Sequence, residues 1–144
     1  MKKIPLCILT VFLWAYPLVV TAMAGGGAPE ERAIAALEAL RKSYVSEDRE
    51  RFFHAVSDEA YFSVTDLKIR TAEFFRDYGQ IELDFFVNET LPGSGKALIR
   101  LRWEKRAVDR SGSLKRFEGR TDLIFKIADE KTAGLLDLQG DSPF

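Results

Sequence analysis

Ile81-Glu82-Leu83-Asp84-Phe85-Phe86-Val87-Asn88, then Pro92-Gly93-Ser94-Gly95, then Ala97-Leu98-Ile99-Arg100-Leu101-Arg102-Trp103-Glu104 is the stretch that decides the fold. In its first part Ile81, Leu83, Phe85 and Val87 alternate with Glu82, Asp84, Phe86 and Asn88. That period of two belongs to a strand with one buried face. The Pro-Gly-Ser-Gly run is a turn, and Ala97, Ile99, Leu101 and Trp103 then alternate with Leu98, Arg100, Arg102 and Glu104, so a second strand returns beside the first. Further on, the polar Asp109–Ser113 segment with Gly112 predicts a hairpin loop. It leads to a long third strand with Phe117, Thr121, Leu123, Phe125 and Ile127 on one face. A last strand is expected around Leu135 to Leu138.

Upstream of Ile81 the period changes to that of a helix. Ala33, Leu37, Leu40 and Tyr44 are spaced four, three and four apart and share one face of an amphipathic helix. Ser46 is the expected N-cap of a second helix, with Glu47 and Asp48 in its first turn and Phe52, Phe53 and Val56 on its buried side. Thr65 or Asp66 is the expected cap of a third, with the stripe Leu67, Thr71, Phe74, Phe75 and Tyr78 and a stop at Gly79. Helices first and an antiparallel meander second give an α+β class, with the helices packed on one face of a four-stranded sheet.

The chain begins with Lys2 and Lys3, an apolar run from Ile4 to Val20, and small residues at Ala22-Met23-Ala24. This is the layout of a secretory signal peptide cleaved after Ala24. The apolar run is short for a membrane span, which needs about 20 apolar residues, and Pro5 and Pro17 interrupt it, so a retained anchor is the lesser reading. The expected organisation is therefore a signal peptide over 1–24, a flexible Gly-rich joint over 25–29 and one domain over 30–144, placed in the periplasm or secreted. Cys7 is the only cysteine, so cleavage leaves a domain without disulfides or thiolate metal sites.

Charge is unevenly distributed along the chain. Residues 96–126 carry 10 Lys plus Arg against 4 Asp plus Glu, whereas residues 25–95 carry 8 against 14. In this basic island Arg100, Arg102 and Arg106 lie in phase on the second strand, as do Arg116 and Arg120 on the third. If the strands pair, these arginines share the outer face, which suits an anionic lipid surface, an acidic polymer or an acidic protein. Glu104, Glu118 and Asp122 on the same strands offer cross-strand partners that would instead make an ordinary solvated face. Nucleic acid is a poor partner, because without Lys2 and Lys3 the chain has 19 basic against 22 acidic side chains. A monomer or a loose homodimer is expected, since packing this face against a copy buries many charges.

Single residues point to no catalytic group. His54 is the only histidine and falls at the edge of the apolar face of its helix. Neither a metal site nor a cofactor is implied: carboxylates are scattered, and Gly93-Ser94-Gly95-Lys96 lacks the first glycine and the final Ser/Thr of a phosphate loop. Asn88-Glu89-Thr90 fits the glycosylation sequon, which acts only in a eukaryotic secretory pathway.

The order of elements, with Trp103, a charged hairpin, Phe117-Glu118-Gly119-Arg120 and the closing Gly140-Asp141-Ser142-Pro143-Phe144, resembles the nuclear transport factor 2-like, or SnoaL-like, superfamily, and its small exported bacterial members in particular. The resemblance implies a cystatin-like cone, in which a strongly curved sheet wraps the helices and leaves an apolar pocket at its open end. Members include isomerases, dehydratases, cyclases, ligand binders and interaction subunits, so the fold alone does not decide function. The expected lining is Tyr44, Tyr61, Phe85, Trp103, Phe117, Thr121 and Leu123. The isomerases use a carboxylate base in the pocket, but here Asp84, Asp122 and Asp137 fall on the opposite phase, and only a bulge would turn one inward. The leading expectation is an exported, non-enzymatic domain binding a small apolar ligand or a partner protein through the cone. A SnoaL-like isomerase, dehydratase or cyclase is one alternative, and binding through the basic sheet face is the other.

Overall fold

A computed structural model describes residues 27–127 and 133–144. The signal-peptide reading falls on residues outside this range. Three helices, α1 (Pro29–Val45), α2 (Arg49–His54) and α3 (Val64–Asp77), precede four strands, β1 (Tyr78–Gly93), β2 (Lys96–Asp109), β3 (Leu114–Lys126) and β4 (Gly134–Gly140). The strands form one antiparallel sheet in the order β1-β2-β3-β4. Among the described residues no helix is long and apolar enough to cross a membrane.

The period-two segments became strands longer than the alternation alone marks out. β1 and β2 are joined by a two-residue turn at Ser94 and Gly95, and Gly95 takes a φ of +67°, a left-handed conformation that glycine adopts without strain. The β2–β3 loop is organised by Asp109, whose Oδ1 accepts from Ser111 N, Ser111 Oγ and Ser113 N at 2.9, 2.6 and 2.9 Å. These bonds favour the charged carboxylate and hold it down at about 2.

Helix α1 buries Ala33, Leu37, Leu40 and Tyr44, the face its spacing marks. Pro29 opens it and Glu30 and Glu31 sit in its first turn, where the dipole favours negative charge. The other helix boundaries differ from the sequence reading. Ser46 closes α1, and the N-cap of α2 is Asp48, whose carboxylate accepts from Arg51 N at 3.1 Å. Glu47, at a φ of +57°, makes the break between the two helices. Ser63, not Thr65 or Asp66, caps α3, accepting from Asp66 N at 3.1 Å. Nor does Gly79 stop α3: Tyr78 is already extended, and the helix runs straight into β1. Its last carbonyls are met by Arg110, which donates to Arg76 O and Phe75 O at 2.6 and 3.2 Å.

The helices pack on the face of the sheet that carries Ile81, Leu83, Ala97, Ile99, Leu101, Trp103, Leu123 and Phe125. The free edge of β4 is covered by the segment after α2. There Leu135 N donates to Ala55 O, Ser57 N to Leu135 O and Tyr61 N to Leu136 O, all at 2.8 Å. Beyond β4 the chain turns at Gly140, φ +100°, and runs back over Gly119 of β3. A Cβ at Gly119 would stand 2.6 Å from Asp141 Cβ and 2.7 Å from Trp103 Cζ2, so only glycine lets these three layers meet. Gly119→Ala is therefore expected to lower unfolding stability by about 1–3 kcal/mol, as overpacking does, measured by urea denaturation. Unchanged stability would contradict the packing of residues 141–144 on Trp103.

Candidate functional site

The interior of the cone continues the β2 alternation past the point where the sequence reading stopped. Ala97, Ile99, Leu101 and Trp103 are followed on the same face by Lys105 and Ala107. Lys105 is thus a lysine on an apolar stripe, 5% exposed. Its Nζ donates to Tyr44 Oη at 3.2 Å and to Pro143 O at 2.9 Å. It also lies 3.9 Å from the ring centroid of Phe74, 5.2 Å from Tyr44, 5.6 Å from Phe117 and 5.8 Å from Trp103. Four rings presenting electron-rich faces replace part of the hydration the ammonium loses.

No carboxylate joins that cage among the ion pairs of the described residues. Burial without a counter-charge pushes the Lys105 amine down to about 8. It is still about nine-tenths ammonium at pH 7. Burial has the opposite effect on the Tyr44 phenol, raising it well above its usual value, so the hydroxyl keeps its proton.

Around this group the aromatic side chains close ranks. Tyr44, at the centre, stands 5.5 Å from Phe52, 5.0 Å from Phe75 and 5.4 Å from Phe144. Phe74 stacks on Tyr78 at 4.5 Å, and Phe117 meets both edge-on at 5.7 Å. This half-buried trio closes over Lys105. Residues 141–144 complete the wall, with Trp103 Nε1 donating to Asp141 O at 2.9 Å and Phe144 6% exposed.

Of the seven residues expected to line the pocket, Tyr44, Phe85, Trp103, Phe117, Thr121 and Leu123 come together on the inner side, all buried or half-buried. Tyr44 and Leu123 are fully buried, and Thr121 Oγ1 donates to Gln139 O at 3.0 Å. Tyr61 stands apart: it is 67% exposed, outside the cone, and accepts from Lys96 Nζ at 3.0 Å. Its short segment is tied to β4 through its backbone, which leaves the side chain facing outward. His54 is exposed at the end of α2. With Phe53, Val56, Ser57, Asp58, Lys126 and Gly134 it lines an open recess of about 290 Å³, separate from Lys105.

Register shifts occur at three places, between Gly79 and Glu82, Val87 and Glu89, and Ile124 and Phe125. None brings in a carboxylate: Asp84 and Glu89 are exposed, and Asp122 and Asp137 are half-buried on the outer side. No group of three or more His, Cys, Asp or Glu suited to a metal ion occurs among the described residues.

On the outer face the register sets Arg100 opposite Asp122, Arg102 opposite Arg120, Glu104 opposite Glu118 and Arg106 opposite Arg116. Strand β1 adds acids the basic island did not count. Arg100 pairs with Glu89 and Asp122 at 3.0 Å each, Arg106 with Glu82 at 2.8 Å, and Arg102 with Glu104. Arg116 and Arg120 make no ion pair within 4 Å among the described residues. The face is banded in sign, not uniformly basic.

This geometry, helices seated in the concave side of a four-stranded meander, is shared with solved structures. A nuclear transport factor 2-like superfamily protein from Salmonella enterica serovar Typhimurium superposes with a TM-score of 0.67 at 10% identity, covering 80% of this chain and 91% of that one. The chain has the nuclear transport factor 2-like fold. A conserved protein from Planctomyces limnophilus gives a TM-score of 0.68 at 14% identity, covering 78% and 97% of the two chains. A ketosteroid isomerase-like protein from Erwinia carotovora atroseptica gives 0.64 at 12%, covering 82% and 100%. No protein-family model and no curated protein matches the sequence. At these identities the nuclear transport factor 2-like likeness carries the α+β cone and nothing of activity.

The buried amine makes a pH signature. A lysine whose folded-state value lies near 8 against an unfolded value of about 10.4 destabilises the fold while it must be charged, so stability rises with pH between those values. Tyr44, raised on folding, contributes stability below about pH 10 that is lost above it. Unfolding free energy is therefore expected to climb from pH 8 towards pH 10, by at most about 3 kcal/mol, and then fall. In Lys105→Met the climb should vanish. Urea denaturation across this range measures both, and an identical climb in the variant would contradict the assignment.

Proposed function

We propose that the protein is an exported, non-enzymatic binding domain whose cone takes a small apolar ligand, or supports a partner protein. The observation that carries this is the make-up of the interior: aromatic and aliphatic side chains, with Ser43, Thr71 and Thr121 among them, around one ammonium, and every carboxylate of the sheet on the outer side. Isomerase, dehydratase or cyclase chemistry on this fold calls for a base inside the cone. Lys105 is mostly protonated at neutral pH and already donates to Tyr44 and Pro143, and His54 lies elsewhere on the surface. Large apolar side chains with a few placed polar groups are what ligand sites are made of.

The outer face gives less support to an anionic lipid, polymer or protein partner. Arg100, Arg102 and Arg106 already hold carboxylates, and exposed pairs of that kind contribute little beyond local order.

N-phenyl-1-naphthylamine, a neutral apolar dye, is expected to bind the folded protein saturably at one site, with a fluorescence rise that disappears on unfolding. Non-saturable or absent binding would overturn the cone reading. Export has its own test. Expressed with its first 24 residues in a Gram-negative host, the protein is expected in the osmotic-shock fraction with Gly25 as its first residue, read by intact mass. A full-length mass in the cytoplasm would contradict it.

A further inference from the structure

The segment Asp141–Phe144 sits in the cone as a bound molecule would. Three of its oxygens accept from the sheet. Asp141 O receives Trp103 Nε1 at 2.9 Å, Pro143 O receives Lys105 Nζ at 2.9 Å, and Asp141 Oδ2 receives Arg120 N at 3.2 Å. Its apolar part, the Phe144 ring, fills a slot between Tyr44 at 5.4 Å, Phe52 at 5.1 Å and Phe85 at 6.2 Å. Pro143 and Phe144 are both buried.

What this occupant does not supply at Lys105 is charge. A buried ammonium is costly unless an anion accompanies it, and here it meets a neutral carbonyl, a phenol oxygen and ring faces. Tyr44 Oη accepts from Lys105 and still has its own proton to donate. A cationic donor thus points at the place where Pro143 O now lies, with the Tyr44 hydroxyl on the same ammonium, beside a slot shaped for a ring. A carboxylate oxygen there would add to that bond the Coulomb attraction of a full opposite charge, which a neutral carbonyl lacks.

We infer that the cone is a receptor for small apolar carboxylates. The acid group replaces the Pro143 carbonyl on Lys105, the apolar body replaces the Phe144 ring, and residues 141–144 are the internal occupant that such a ligand displaces. This rests on the ligand-binding reading of the cone and names its ligand class. Because the ligand must compete with residues 141–144, its apparent affinity is lowered by the fraction of time the site is closed.

The test uses 3-phenylpropionate and 3-phenylpropanamide, matched in shape and differing in charge, titrated by calorimetry into the mature protein at pH 7. The acid is expected to bind about tenfold or more tightly than the amide, because only the acid brings an opposite charge to the ammonium. Phe144→Ala is expected to tighten both by about tenfold, since the competitor has lost its anchor. Lys105→Met is expected to bring the acid down to the affinity of the amide; should that variant not fold, the acid-to-amide ratio in Phe144→Ala decides alone. Trp103 is the only tryptophan after residue 24, so a change in its emission on binding reports release of Asp141 O from its indole. Equal binding of acid and amide, with the neutral dye still bound, overturns this inference and leaves the cone reading standing. Failure of all three probes to bind overturns both, and Phe144→Ala binding no tighter than the native protein overturns the displacement.

Discussion

Everything inside this cone is arranged around the problem of burying the Lys105 ammonium. The strand that carries it places it in phase with Ile99, Leu101 and Trp103, so it cannot reach solvent without leaving the sheet. The chain answers with rings from three directions, Tyr44 from α1, Phe74 from α3 and Phe117 from β3, and with the Pro143 carbonyl brought in by the turn at Gly140. Each of these has its own requirement. Gly119 must lack a side chain for residues 141–144 to reach Trp103, and α3 must run into β1 without a loop for Phe74 and Tyr78 to stack beside Phe117.

The parts of the fold legible in the sequence are those where one face is apolar throughout. The helix face Ala33, Leu37, Leu40, Tyr44 and the alternations in β2 and β3 read directly, because burial on one side imposes a period on the residues. In β1 the period holds for Ile81, Leu83 and Phe85, but Val87, expected on the buried face, is 43% exposed where the register shifts between Val87 and Glu89. Helix ends were harder. Ser46 and Asp48 both have a side chain able to cap, and the choice of Asp48 goes with the left-handed turn at Glu47, for which the sequence carries no local signal. Gly79 reads as a helix stop, yet Tyr78 is pulled into the sheet opposite Asp109, and the glycine pairs with Val108 at the edge of the register shift that precedes Glu82.

In the cone, the inward phase of Phe85, Trp103, Phe117, Thr121 and Leu123 was legible, and the charge beside them was not. Counting two beyond Trp103 leads to Lys105 and then Ala107, but a lysine on an apolar stripe reads as the end of the stripe, since lysines are almost never fully buried. The closing Asp141–Phe144 belonged to the pattern of the superfamily without a place in the cone, because a four-residue segment has no period to show which surface it covers. The outer face shows the converse. A count along the chain makes residues 96–126 basic, whereas Glu82 and Glu89 of β1, remote in sequence, neutralise Arg106 and Arg100 once the strands pair.

The central claim is that Lys105 is an ammonium held inside a ring cage with no anion among the described residues, closed by the Pro143 carbonyl. Lysine-selective ¹³C labelling with NMR observation of the ε-methylene groups tests it most directly, with Lys105→Met to assign the signal. The account predicts one ε-methylene shifted strongly upfield by the rings of Phe74 and Tyr44 and titrating near pH 8. An ε-methylene at the position of the surface lysines, titrating with them near pH 10.4, would contradict it.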